Sequence, residues 1–193
     1  MSKKIIVAVT GGIAAYKAPS VISGLKKATE GMEFVYQRGG CKGMEGVEVE
    51  VMQTENSKNF ITKASLSSVA DKYHDMSWDK PVHIDVTENL SLFVVVPATA
   101  NTIAKIAVGI GDNIVTDTAL ALSNECTKIV CPSMNSRMYK NLTVQRNLQV
   151  LRREGWVVID PVEGKLACGT VGIGKLGKTK DIVGQMIEIW GAY

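Results

Sequence analysis

Two stretches constrain the fold of this chain more than any others. Residues 3–12, KKIIVAVTGG, and 90–101, LSLFVVVPATAN, each carry a dense run of β-branched and other apolar residues that stops at a glycine pair or a proline. A strand with one wet face alternates apolar and polar side chains, whereas a run without alternation is buried on both faces. Such strands belong to parallel sheets covered by helices on both sides. The intervening segments have helical spacing. IAAYKAPSVISGLKKA sets Ile13, Tyr16, Val21, Ile22 and Leu25 along one side, and Pro19 predicts a kink or a late start. TIAKIAVG and DNIVTDTALALSN read as helices, the second with Asp112 as its cap. LTVQRNLQVLRREG reads as an amphipathic helix closed by Gly155, and TKDIVGQMIEIW as a final helix. VEVEVMQT, KIVCPS and WVVIDP supply further strands. Strands alternating with helices predict an α/β chain, a Rossmann-like doubly wound parallel sheet in a single domain over residues 1–193.

The rest of the composition narrows the function classes. A formal net charge of +3 is too small an excess to argue for nucleic acid. The longest apolar run, Leu92–Val96 within the third strand, is far too short to span a bilayer, so no membrane partner is expected. The N-terminal apolar run stops at Gly11-Gly12 without a cleavage-type sequence and reads as a first strand rather than a signal peptide. Four cysteines, at 41, 126, 131 and 168, form no CxxC pair, and with only His74 and His83 available no zinc site is expected. Reduced thiols in a cytoplasmic protein are the simplest reading. Residues 29–47 fit the alternation badly. They predict a loop insertion, with room for a short extra hairpin around Arg38-Gly39-Gly40, and carry no functional reading.

In doubly wound sheets ligands bind beyond the carboxyl ends of the strands. Those ends are Thr10-Gly11-Gly12, Gln53-Thr54, Pro97-Ala98-Thr99 and Pro132-Ser133. TGGIAAYK follows a strand and opens a helix, which makes it either a phosphate cradle or an ordinary tight turn. It lacks both the GxGxxG spacing and the lysine-serine/threonine ending of a Walker loop. PATANT, residues 97–102, offers small residues against which a flat ring can lie; Thr99 or Asn101 can equally be a helix cap. Asn135 in CPSMNSRMYKN can bind a carboxylate or amide, or simply shape a turn. His83 in KPVHIDVT can serve as a base near neutral pH, or be an ordinary histidine. Near the end, ACGTVGIGK places Cys168 among glycines in a predicted flap over about residues 163–177.

Taken in order, GGIAAYK, HID, PATANTIAKIAVGIGDN, PSMNSRMYKN and ACGTVGIGK resemble the homo-oligomeric flavin-containing cysteine decarboxylase family over nearly the whole chain except about 29–47. The PxMNxxM element and the Cys-Gly flap are the specific parts of that resemblance. Tyr139 stands where family members often carry Trp. The chain ends at residue 193, so the synthetase fused to many bacterial members is not expected.

The resemblance implies FMN as cofactor, held by Gly11, Gly12, Ile13, Thr54, Phe60, Pro97, Ala98, Thr99, Ala100, Asn101, Thr102 and Ser133. It implies a small-molecule substrate, phosphopantothenoylcysteine of coenzyme A biosynthesis, contacted by Met134, Asn135, Ala167 and Gly169. Flavin oxidation of the substrate's CH2–SH group to a thioaldehyde would place the carboxylate β to a C=S bond. CO2 would leave, and re-reduction would give 4'-phosphopantetheine. In that scheme His83 is the general base or electrostatic partner of the first half, and Cys168 donates the proton of the second half from a closing flap. A homotrimer or multiple of trimers, with the flavin site between subunits, is implied in the same way. Three alternatives stay open: a peptidyl-cysteine decarboxylase, which would stop at the ene-thiol; a non-catalytic flavin-binding regulatory subunit; and a flavin prenyltransferase of similar fold.

Overall fold

The computed structural model describes residues 3–32, 34–38, 41–76, 82–167 and 169–192. The first strand β1 (Lys3–Val9) leads through a 3-10 turn, Ile13–Lys17, into helix α1 (Ala18–Thr29). Pro19 therefore sits in the first turn of the helix, where its missing N–H costs nothing, and the late start is the outcome rather than a kink. Strands β2 (Phe34–Arg38) and β3 (Cys41–Glu45) pair antiparallel, with Arg38 opposite Cys41, so the 29–47 segment does hold a hairpin; Gly39 and Gly40 lie outside the described residues. Next come β4 (Val47–Gln53), a 3-10 turn at Glu55–Asn59, α2 (Lys63–Ser67), the short β5 (Lys72–His74) and α3 (Val82–Asp85). The second half runs β6 (Leu90–Ala98), α4 (Ala100–Val108), α5 (Ile114–Ala121), β7 (Thr127–Pro132), α6 (Ser136–Tyr139), α7 (Leu142–Arg153) and β8 (Trp156–Val158). A hairpin of β9 (Val162–Lys165) and β10 (Val171–Lys175) precedes the last helix, α8 (Thr179–Gly191).

Six strands form one parallel sheet in the order β5-β4-β1-β6-β7-β8. Numbered within that sheet, the order is 3-2-1-4-5-6, the doubly wound arrangement whose direction reverses between β1 and β6. Both faces are covered, which is why β1 and β6 lack alternation. Ile5, Val7 and Val9 pack with α1 and α8 residues such as Ile22, Leu25 and Met186, while Ile6 and Ala8 join Phe93, Ile103, Leu148 and Trp156 on the opposite face. Each fully buried Ile, Leu or Phe of these two cores stabilises the fold by about 1.5–3 kcal/mol. The sheet thereby fixes the ends of β1, β4, β6 and β7 along one rim. No described helix is long and apolar enough to cross a membrane.

Candidate active site

The rim is tied together by polar groups that the core leaves no room to move. Thr10, fully buried at the end of β1, donates its hydroxyl to the Pro97 carbonyl at 2.7 Å and accepts from the Thr99 N–H at 3.0 Å. One side chain therefore bridges the point where the sheet reverses. The Thr54 N–H donates to the Val9 carbonyl, and the Ser133 N–H to the Ala98 carbonyl, which extends the same cross-linking to β4 and β7. Gly11 is required by contact: a Cβ there would lie 2.6 Å from Asn56 Cβ. Gly12 is different, since its Cβ would meet only the Thr99 methyl at 3.5 Å. Thr99 caps α4, its hydroxyl accepting from the Thr102 N–H.

Above this floor opens a cleft of about 1020 Å³, at the upper end of the size range of small-molecule sites. Its second wall is the predicted flap, which is a β-hairpin. β10 docks on the turn after β7: the Met134 N–H donates to the Gly174 carbonyl at 3.0 Å and the Ser136 hydroxyl to the Ile173 carbonyl at 2.6 Å. Gly172 and Gly174 serve that docking rather than looseness. A Cβ at Gly172 would lie 2.5 Å from Ser136 Oγ, and one at Gly174, whose φ is +138°, would lie 2.2 Å from the Met134 carbonyl oxygen. At the tip, the Leu166 N–H donates to the Thr170 carbonyl and the Gly169 N–H to the Leu166 carbonyl.

The cleft brings together most of the residues that the sequence pointed to: Gly11, Gly12, Ile13, Thr54, Thr99, Ala100, Asn101, Thr102, Ser133, Met134, Asn135 and Ala167 all line it. Others lie elsewhere. Pro97 and Ala98 are buried in β6 beneath the floor, where their carbonyls accept the Thr10 and Ser133 bonds. Phe60 follows the Glu55–Asn59 turn and does not line the cleft; Gly169, at the hairpin tip, has no atom within 4 Å of its Cβ position. His83 is half-buried on α3, which packs against α5, and does not reach the cleft of its own chain. Cys168 lies outside the described residues. Asp112 is not the cap of α5; Asn113 is, accepting from the Val115 and Thr116 N–H groups, while Asp112 pairs with Lys105. Asn135 fulfils the bland reading and leaves the other intact. Its Oδ1 accepts from the Arg137 N–H, which caps α6.

Thr10 stands at one of the strand ends that the sequence marks, but its bridging role appears only in the structure. Three lysines carry no signal in the sequence. Lys17, Lys165 and Lys175 also line the cleft. Lys17 donates to the carbonyls of Leu176 at 3.2 Å and Gly177 at 3.3 Å; its ammonium is held below the usual lysine range by burial and by the charge of Lys175. The described thiols are inert by comparison. Burial pushes Cys126 up to about 12 and raises Cys131 as well. His74 is a buried structural histidine bonded to Glu50 at 2.6 Å. Burial acts to raise the Glu50 carboxyl, but the bond from His74 and the charges of His74, Lys4 and Lys72 outweigh it and hold the group below its ordinary value. Tyr139 is buried and donates to Asp160 at 2.8 Å, bracing α6 against the segment after β8.

A family model described as Flavoprotein matches residues 1–190. The chain belongs to the flavoprotein family. It is 38% identical over 194 residues to a probable phosphopantothenoylcysteine decarboxylase of Streptococcus mutans, covering 97% of this chain and 98% of that one. It is 34% identical over 188 residues to the coenzyme A biosynthesis bifunctional protein CoaBC of Bacillus subtilis, of which it spans 42%. Among solved structures, a PPC decarboxylase mutant complexed with pantothenoylaminoethenethiol superposes with a TM-score of 0.82 at 26% identity, covering 99% of this chain and 100% of that one. The FMN binding protein AtHal3 superposes with a TM-score of 0.80 at 26% identity, covering 100% and 99%.

A flavin is the cofactor of this family, and the cleft fits one. The open Cβ position of Gly12 and the small side chains of Thr99 and Ala100 leave a flat surface at the reversal point. Beside it the Thr54 hydroxyl is buried with no partner among the described residues. A buried hydroxyl left unpaired is costly, and Thr54 lines the cleft.

Proposed function

We propose that this chain is an FMN-dependent decarboxylase that converts 4'-phosphopantothenoylcysteine to 4'-phosphopantetheine in coenzyme A biosynthesis, as a soluble cytoplasmic enzyme. The observation that carries this reading is the convergence of three segments on one cleft. The Gly11–Ile13 and Thr99–Thr102 floor, the Met134–Asn135 turn and the Ala167 hairpin all face the same space. The full-length likeness to a protein bearing that activity's name supports it.

The bound flavin supplies the reversible two-electron acceptor that a carboxylate without a neighbouring electron sink needs. Gly12, Thr54, Thr99 and Ser133 are the residues that would hold it. Asn135 holds the substrate carboxylate through its amide N–H and orients it; the Arg137 cap bond fixes the rotamer in which this is possible. Cys168, next to Ala167 in the sequence, is the acid that delivers the final proton. The hairpin walls one side of the site. His83 is the general base, and because its own chain keeps it from the cleft, it acts in a neighbouring copy's site. That assembly is a homotrimer or a multiple of one. The exposed Ile13, Tyr16 and Met138 at the cleft are the apolar surface a second copy would cover.

The test is release of labelled CO2 from carboxyl-labelled 4'-phosphopantothenoylcysteine by the FMN-loaded protein, with mass spectrometry of the product. Saturated 4'-phosphopantetheine is expected. An ene-thiol product, or turnover only of peptides ending in cysteine, would transfer the chain to the peptide-modifying branch. Flavin binding without CO2 release from either substrate would make it a non-catalytic binding subunit.

A further inference from the structure

The charges of the cleft do not balance. Its two carboxylates are engaged, Asp112 by Lys105 and Glu55 by Lys58. Lys17, Lys165 and Lys175 remain, and no carboxylate pairs with any of them among the described residues. All three stand at the hairpin side. Lys165 ends β9, opposite Val171, and Lys175 ends β10, opposite Val162. Lys175 lies across the hairpin face: a Cβ at Gly164 would come within 2.9 Å of its Cδ and 3.6 Å of its Nζ, so Gly164 gives this side chain its path. Lys17 is pinned by the Leu176 and Gly177 carbonyls just behind β10, close enough to Lys175 for the two charges to oppose each other. Like charges gathered without a counter-charge at the edge of a cavity destabilise one another until an anion joins them. Lysines act as flexible point charges suited to a phosphate rather than as planar forks suited to a carboxylate.

We propose that Lys165 and Lys175, with Lys17 behind them, form the seat for the substrate's phosphomonoester and set the preference for a phosphorylated over an unphosphorylated substrate. This rests on the decarboxylase reading above. Two phosphomonoesters meet in that reaction, the flavin's and the substrate's. The seat is assigned to the substrate's because Lys165 and Lys175 belong to the hairpin that carries Ala167 and docks on the Met134–Asn135 turn. The floor instead offers backbone and neutral hydroxyl groups at Gly11, Gly12 and Thr54. A dianion at the hairpin would also cancel the repulsion between Lys17 and Lys175, so binding would tighten the hairpin over the site.

The experiment compares wild type, Lys165→Gln, Lys175→Gln and the double variant, each loaded with FMN. Steady-state constants are measured on 4'-phosphopantothenoylcysteine and on unphosphorylated pantothenoylcysteine, with the FMN dissociation constant measured by fluorescence. Each substitution should lower kcat/KM for the phosphorylated substrate by about 10–100-fold, the worth of a charged hydrogen bond, chiefly through KM. Constants for the unphosphorylated substrate and FMN affinity should not move. Equal losses on both substrates would overturn the proposal, and so would weakened FMN binding with the substrate preference intact, which would make the seat the cofactor's. If wild type turns over neither substrate, the decarboxylase reading fails by itself. The seat is then judged by calorimetry with 4'-phosphopantetheine and pantetheine. A phosphate-dependent, salt-sensitive gain in affinity that vanishes in the double variant upholds it; equal affinities overturn it.

Discussion

The floor and the hairpin wall of the cleft are built on opposite physical terms. The floor is the end of a sheet buried on both faces. Its backbone is cross-tied by Thr10, which has no solvent exposure, and by the Thr54–Val9 and Ser133–Ala98 bonds. The wall is a two-stranded hairpin with Val171 72% exposed. Its β10 strand is bonded to the turn after β7 by the Met134 N–H and by the Ser133 and Ser136 hydroxyls, and the Lys17 ammonium holds the Leu176 and Gly177 carbonyls just beyond it. A cofactor is served by a surface that does not change, whereas a substrate that must enter and leave is served by one that can. Damage to the wall should therefore remove turnover and spare flavin binding, while damage to the floor should reach both.

The largest effect is expected at Gly174→Ala. The added methyl would overlap the Met134 carbonyl at 2.2 Å, in a backbone conformation that L residues rarely adopt. Strain and overlap together amount to about 2–5 kcal/mol, enough to undock the hairpin. Turnover should vanish while the visible flavin spectrum of the purified protein stays that of wild type. Loss of flavin as well would mean that floor and wall are one unit. Asn135→Asp comes next. Aspartate caps a helix as well as asparagine, so melting temperature and flavin content should hold. A like charge facing the substrate carboxylate costs several kcal/mol, so kcat/KM should fall by about 100-fold or more.

Thr10→Val is the matching break in the floor. It removes both rim bonds and leaves the Pro97 carbonyl without its donor, at a cost of about 1–3 kcal/mol in denaturant unfolding. Flavin affinity should fall with it. The smallest change is Gly12→Ala, whose methyl meets only ordinary contact with Thr99. Stability should stay within about 0.5 kcal/mol of wild type, while the methyl intrudes where a flavin would lie and lowers its affinity by about 10-fold, measured by fluorescence titration. An unchanged affinity would move the flavin away from Gly12.

The two regions also differ in how far the sequence disclosed them. The buried strands β1, β4, β6 and β7 were legible because burial on two faces leaves a compositional mark, and their ends located the floor. β5 was not, since Lys72-Tyr73-His74 has neither an apolar run nor alternation and takes its conformation from pairing with Glu50–Met52. The glycines of the wall suggest a loose flap when only composition is considered. Gly172 and Gly174 are instead positions where two backbones approach too closely for a Cβ, and only the tertiary contact with Met134 and Ser136 shows that. Lys165 and Lys175 end the two strands of the hairpin at opposite ends of its ladder, and the pairing of β9 with β10 lays Lys175 along Gly164, so that both lysines line the cleft. His83 was legible as a chemical group but not as a position, because nothing in the local sequence tells that α3 packs against α5, away from the cleft lining.

The central claim is that floor and wall form one site in which flavin and substrate meet. Anaerobic titration of the FMN-loaded protein with 4'-phosphopantothenoylcysteine, following flavin absorbance and CO2 together, tests it most directly. The absorbance should respond to substrate in proportion to occupied sites, with CO2 released in step, and Asn135→Asp should abolish both signals. Release of CO2 with no change in the flavin spectrum, or a spectrum indifferent to substrate in the wild-type protein, would contradict it.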